Sequence, residues 1–219
     1  MTPAAGDHAG RMDRMYRYQR HIYDVTRKYY LFGRDRMIAG LAPPPGASVL
    51  EVGCGTGRNL ARIARRYPGV RLFGLDISAE MLVSARASLA RSGRPDARLL
   101  VADATDFEAG AFGEDGFDRV VVSYALSMIP DWQQAIDTAL RAVRPGGALH
   151  IADFGMQEGL PSAFGLLLRG WLGRFHVTPR ETLPAVLRDA AARHGMTVEI
   201  TDVGRGYALV AVCRKQIPH

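Results

Sequence analysis

The chain has 219 residues, 47% of them hydrophobic and 23% charged, and 28 Lys and Arg against 22 Asp and Glu leave a formal charge of +6. That length supports one full hydrophobic core and is short for two, while two cysteines, Cys54 and Cys213, indicate neither a disulfide framework nor a metal cluster, so no metal is expected. No apolar run approaches the roughly 18 residues needed to cross a bilayer, and residues 1–10 carry no hydrophobic signal segment, so the expectation is a cytoplasmic protein that meets a membrane only at its surface.

Residues 1–10 read as a disordered tail and 11–219 as a single domain. Arg11, Arg14, Arg17, Arg20, Arg27, Lys28, Arg34 and Arg36 crowd the first part of that domain, and Met12, Met15, Tyr16, Ile22, Tyr23 and Tyr30 recur among them at near-helical spacing. A basic amphipathic helix of this kind can lie on anionic headgroups or pack its apolar stripe across the mouth of a pocket, so residues 11–46 are read as a helical lid. Lys28 and Lys215 are the only lysines; the basic charge is almost all Arg, which with the abundant Ala and Gly also looks partly like coding bias.

Ala42–Gly46 is a proline and glycine connector, and from Ser48 to about Asp153 strands alternate with helices, which predicts an α/β doubly wound parallel sheet. Helices are expected at Gly57–Tyr67, Ala79–Ser92 and Pro130–Val143, the last stopped by Pro145-Gly146-Gly147. Residues 154–182 change character: Phe154, Phe164, Trp171, Leu172 and Phe175 among Arg169, Arg174 and Arg180 form an insert rather than a sheet element. Thr182 should cap a final helix ended by Gly195. Met196–Thr201 and Gly206–Cys213 close the chain as two β-rich stretches.

The most informative segment is Val49-Leu50-Glu51-Val52-Gly53-Cys54-Gly55-Thr56-Gly57, an apolar strand entering glycines at alternate positions. Glycine there lets the backbone turn tightly and approach a ligand, and Asp76, ending the next strand at Val70–Leu75, can accept from both hydroxyls of a ribose. The dinucleotide spacing G-x-G-x-x-G fails in both registers, because its third glycine would fall on Arg58 or Leu60. A nucleoside without a pyrophosphate fits better.

The E-x-G-x-G-x-G form resembles the first motif of the class I S-adenosylmethionine-dependent methyltransferases, and four further segments resemble that family in order. Leu75-Asp76-Ile77-Ser78 looks like its ribose segment, with Ile77 and Met81 against adenine. Val101-Ala102-Asp103-Ala104 looks like the adenine-edge segment, Phe117–Ser123 like the fourth strand, which faces the transferable methyl, and Leu140–Gly147 like the approach to strand five. The resemblance implies a seven-stranded Rossmann-like sheet whose last two strands are antiparallel, with S-adenosylmethionine as cofactor and S-adenosylhomocysteine as product. It assigns the methionine end to Glu51, Tyr23 and Arg36, with Arg34 as the lesser alternative, and the remaining cofactor contacts to Gly53, Gly55, Gly57, Asp76, Ile77, Met81, Asp103, Ala104 and Ser123.

Tyr16–Arg27, Ser123–Trp132 and Phe175–Arg180 narrow the resemblance to bacterial diacylglyceryl-homoserine N-methyltransferases, which complete a betaine lipid by three N-methylations. This implies a lipid substrate at an anionic membrane surface, location at the inner face of the membrane and no nucleic-acid partner, and leaves open an association with the enzyme that makes diacylglyceryl homoserine. Phosphatidylethanolamine, a quinone or another small molecule is the alternative acceptor. Only a neutral amine attacks the sulfonium methyl, so a proton acceptor is useful; His176 is the candidate and Tyr124 the second catalytic candidate. Tyr30, Tyr124 and Trp171 are candidates for holding the growing cation by cation–π attraction, and Arg180, with Arg169 and Arg174, for pairing with the headgroup anion. Core packing for the rings and solvation for the arginines are the plainer readings.

Overall fold

The computed structural model describes residues 32–155 and 180–217. Helix α1 (Phe32–Ala39) leads through the connector to strand β1 (Ser48–Val52); α2 (Arg58–Arg66), β2 (Arg71–Asp76), α3 (Ala79–Arg91), β3 (Arg98–Val101), β4 (Phe117–Ser123), α4 (Trp132–Arg141), β5 (Val143–Phe154), α5 (Leu183–Arg193), β6 (Met196–Val203) and β7 (Ala208–Lys215) follow. The strands form one sheet in the order β3-β2-β1-β4-β5-β7-β6, parallel from β3 to β5, with β7 antiparallel between β5 and β6. This is the class I methyltransferase topology that the sequence resemblance implied.

Both faces of the sheet are covered, so the central strands cannot alternate apolar with polar, and all five residues of β1 are buried. The strand period of two sends neighbours to opposite cores: Val120 and Val122 pack with Trp132, Ile136, Leu183 and Leu187 from α4 and α5, whereas Val121 packs with the layer of Met37, Leu60, Ile63 and Leu82 from α1, α2 and α3. In α2 the spacing of Leu60, Ala61, Ile63 and Ala64 turns one face inward and leaves Arg65 and Arg66 in water. Burying Leu60 and Ile63 completely contributes about 1.5–3 kcal/mol each. Ser78 caps α3 by accepting from the Met81 N–H at 3.3 Å.

Two boundary expectations are corrected. The Pro145-Gly146-Gly147 run does not stop a helix: α4 already ends at Arg141, and the run lies inside β5 as a bulge, where the register passes from Phe117 opposite Val143 to Arg119 opposite Ala148. Close backbone approach requires Gly147, since a Cβ there would lie 2.9 Å from the carbonyl oxygens of Phe117, Asp118 and Arg144. Thr182 precedes α5 but makes no side-chain cap; Pro184 in the first turn and the Leu183 N–H to Arg180 carbonyl bond at 3.0 Å start that helix instead. The β6–β7 turn runs Gly204-Arg205-Gly206, all left-handed, and β6 extends two residues past Thr201.

Candidate active site

The parallel strands deliver their carboxyl ends to one edge, where an open α/β sheet binds its ligand. Glu51, Asp76, Asp103 and Ser123 arrive there from β1, β2, the turn after β3 and β4. Asp76 fastens the glycine loop: one carboxylate oxygen accepts from the Gly55 N–H at 2.8 Å and the other from the Ser78 N–H at 3.0 Å. A carboxylate offers about four acceptor positions, so it can serve these bonds and a ribose diol together. Asp103 makes an Asx turn, both the N–H (2.8 Å) and the hydroxyl (2.7 Å) of Thr105 donating to Oδ1, which fixes the carboxylate plane. Glu51 is 1% exposed and accepts from the Asn59 amide at 2.6 Å. Asn59 escaped the sequence reading, although its place two residues past the last glycine puts it on the first turn of α2, above the end of β1.

The glycines are used in earnest. Gly53 has φ 69°, and a Cβ there would come 2.9 Å from that of Ala125, so the loop after β1 lies against the loop after β4. Gly53→Ala is expected to cost about 1–2 kcal/mol in stability from the left-handed backbone alone, with a further loss in cofactor affinity as Ala125 is displaced. Thermal melts and calorimetric titration check both; wild-type values in each would show that the approach is not needed.

Of the remaining predicted residues, Met81 is buried, Ile77 and Ala104 are half-buried, and Ser123 is 5% exposed. Tyr124 has φ 54°, unusual for a bulky side chain. Its ring lies 2% exposed and edge-on to Phe154, and its hydroxyl accepts from the Gly33 N–H at 3.4 Å. Burial, only partly offset by that bond, pushes its pKa well above the usual phenol range, so the hydroxyl stays protonated and ties α1 to the end of β4 rather than serving as a base. Arg36 is exposed on α1, whereas Arg34 is 3% exposed and close enough to Tyr124 to influence its ionisation. The Arg34 Nε–H donates to the Asp35 carboxylate at 3.3 Å.

Arg180 donates to the carbonyls of Leu126 at 3.1 Å and Ile129 at 2.7 Å and lies over the Trp132 ring at 5.6 Å, latching the loop after β4 to the start of α5. Tyr23, Tyr30, Trp171 and His176, together with Arg169 and Arg174, lie outside the described residues. Among the described residues no group of three or more His, Cys, Asp or Glu is placed to hold a metal, and no helix is long and apolar enough to cross a membrane.

Residues 49–147 match a family described as the methyltransferase domain. This stretch is a methyltransferase domain. It begins at β1 and ends in the β5 bulge, and so contains the glycine loop, Asp76, Asp103 and Ser123 but not Arg34 or Arg36. The chain is 32% identical over 158 residues to the ubiquinone/menaquinone biosynthesis C-methyltransferase of Paracoccus denitrificans, covering 70% of this chain and 62% of that protein. It is 30% identical over 150 residues to the demethylmenaquinone methyltransferase of Clavibacter sepedonicus, covering 66% and 58%. The chain thus spans about three fifths of the length of these curated relatives. Among solved structures, the putative methyltransferase in complex with the Trm112 activator from Haloferax volcanii superposes with a TM-score of 0.70 at 19% identity, over 94% of this chain and 98% of that one, which bears on the fold alone.

The donor set of the methyltransferase domain fits S-adenosylmethionine. The carboxylates of Glu51, Asp76 and Asp103, gathered at one sheet edge, are of the kind that can accept from its ammonium, ribose diol and adenine amine. In E-x-G-x-G-x-G the glycines leave no phosphate cradle, and that cofactor has no phosphate.

Proposed function

We propose that the chain is an S-adenosylmethionine-dependent N-methyltransferase that trimethylates the amine of diacylglyceryl homoserine at an anionic membrane surface. S-adenosylmethionine is the cofactor, and when bound it supplies an electrophilic methyl group. The protein's work is to hold an amine in line with that methyl, and such positioning can supply several kcal/mol of the barrier. Glu51 and Arg34 would hold the ammonium and carboxylate of the methionine end, Asp76 the ribose, and Asp103 the adenine amine. The loop after β4, latched by Arg180, would close the acceptor side and keep water from the reacting atoms. His176 remains the candidate for taking the amine's proton, and Trp171 and Tyr30 for holding the cation as methyls accumulate.

The observation that carries the lipid-amine reading is the resemblance of Tyr16–Arg27, Ser123–Trp132 and Phe175–Arg180 to betaine-lipid N-methyltransferases. Two of these segments, Tyr16–Arg27 and Phe175–Arg180, lie outside residues 49–147. The quinone C-methyltransferases among the relatives favour a second reading, C-methylation of a quinol. Both acceptors are amphiphiles, and the basic segment at residues 11–36 suits delivery from a membrane surface under either reading.

Lipid mass spectrometry separates them. The protein with S-adenosylmethionine and vesicles carrying diacylglyceryl homoserine, phosphatidylethanolamine or demethylmenaquinol should add mass in steps of one methyl to diacylglyceryl homoserine up to the trimethyl product. Preferential methylation of either other acceptor would overturn the lipid assignment.

A further inference from the structure

Three buried polar atoms cluster at the carboxyl ends of β4 and β5 without a hydrogen bond of normal geometry: Ser123 Oγ, Ser127 Oγ and Asp153 Oδ2. Their residues are 5%, 1% and 1% exposed. Buried polar groups are bonded in the great majority of cases, so a cluster of orphans along one sheet edge needs a reason. It lies beside the loop after β1 that carries the cofactor glycines, through the Gly53–Ala125 approach.

Asp153 is the informative member. It is the penultimate residue of β5, near the sheet edge where Asp76 ends β2, and its Oδ1 is fixed by the Phe154 N–H at 2.8 Å. The Ser127 hydroxyl and the Ser127 and Leu126 N–H groups lie close enough to stabilise the carboxylate as weak hydrogen-bond donors, though no bond of normal geometry reaches Oδ2. Arg180, which latches this loop through the Leu126 and Ile129 carbonyls, is the nearby positive charge. Burial nonetheless outweighs these neighbours and pushes the Asp153 carboxyl up to about 6. A side chain that is costly to keep ionised and half-bonded in the protein alone is a poor structural element and a ready acceptor for a hydrogen-bond donor brought by a ligand.

We propose that Asp153 is the carboxylate that binds the methyl acceptor, taking a hydrogen bond from its amine or hydroxyl at Oδ2, with the Ser127 hydroxyl beside it and the Arg180-latched loop closing over the pair. This rests on the reading above that an acceptor docks at the carboxyl ends of β4 and β5. It sharpens that reading to an acceptor that presents a hydrogen-bond donor here and turns any anionic group of its own elsewhere, since a phosphate or carboxylate at Oδ2 would be repelled.

The test uses Asp153→Asn and Asp153→Glu in the full chain, assayed on vesicles carrying diacylglyceryl homoserine and, separately, demethylmenaquinol. Asp153→Asn should raise the melting temperature at pH 8 by a few degrees, leave S-adenosylhomocysteine affinity within twofold, and lower kcat/KM for the methylated acceptor at least tenfold. Most of that loss should fall on the acceptor KM, and Asp153→Glu should recover part of it. Wild-type turnover by Asp153→Asn overturns the assignment, and so does a lowered melting temperature at pH 8 accompanying the activity loss, which would make Asp153 a packing residue. Methylation of the quinol alone by the parent enzyme would instead refute the lipid reading, and the same variants then judge Asp153 on the quinol.

Discussion

Asp76→Ala should weaken S-adenosylmethionine binding by about 3 kcal/mol or more, over a hundredfold in Kd. Two losses combine. The ribose hydroxyls lose a charged acceptor, and hydrogen bonds to a charged group contribute about 1.5–3 kcal/mol each. The protein also loses the tie between β1 and β2, because the Gly55 and Ser78 N–H groups both donate to this carboxylate. The second loss acts before any ligand arrives, so the glycine loop must be ordered at the moment of binding, and that ordering is subtracted from affinity. Asp76→Asn separates the two, since an amide oxygen can still accept from one N–H while its NH₂ group opposes the other; it should fall between wild type and alanine. Calorimetric titration with S-adenosylhomocysteine measures the affinities, and a melt in the same buffer reports whether the unliganded loop has loosened. Unchanged affinity in Asp76→Ala would remove the cofactor assignment of the whole strand edge.

That the candidate cofactor residues share one sheet edge was legible because local spacing determines it. A buried parallel strand must be apolar through its length, its turn must be glycine where φ is positive, and a carboxylate that ends a strand must sit at the sheet edge; Glu51, Gly53, Asp76 and Asp103 follow from these rules without knowledge of any long-range contact. Pairings between distant segments were not legible in that way. Nothing in the order of residues says that Gly33 donates to Tyr124, 91 positions away, or that Arg180 latches Leu126. That Arg34 is buried and Arg36 exposed depends on how α1 docks on the sheet, which its short sequence leaves open. Pro145-Gly146-Gly147 has the composition of a helix stop and of a strand bulge alike, and only the pairing of β5 with β4 decides. Asp153 is inconspicuous in the sequence because it stands one residue before the end of its strand, ahead of an insert rich in arginines and aromatics. Its likeness to Asp76, a carboxylate near the carboxyl end of an apolar strand, is visible once both are seen at one edge.

The pH dependence of stability should show two buried groups working in opposite directions. His150 lies in β5 between Val121 of β4 and Val212 of β7, with neither ring nitrogen hydrogen-bonded. Burial, reinforced by Arg119 and Arg214, lowers its pKa to about 3. A histidine titrates near 6.5 in the unfolded chain, so between about 6.5 and 3 the unfolded state binds the extra proton and stability falls with pH, by about 1.4 kcal/mol per unit. Asp153 has the reverse sign: its folded value of about 6 lies above the unfolded one, the native state binds the proton first, and stability rises as pH falls through about 6 to 4. The two slopes are equal in size and nearly cancel where they overlap. The parent protein should therefore melt at nearly constant temperature from pH 6.5 to 4 and lose stability steeply below. There His150 is unopposed, and the bridges that hold Glu114 beside Arg71 and Asp137 beside His194 begin to fail as well. Asp153→Asn removes the compensating proton, so its higher melting temperature at pH 8 should decline from pH 6.5 downward, while His150→Leu should flatten the decline below pH 4. Melting curves at half-unit intervals distinguish these shapes, and an Asp153→Asn profile parallel to that of the parent would mean that Asp153 does not take up its proton in this range.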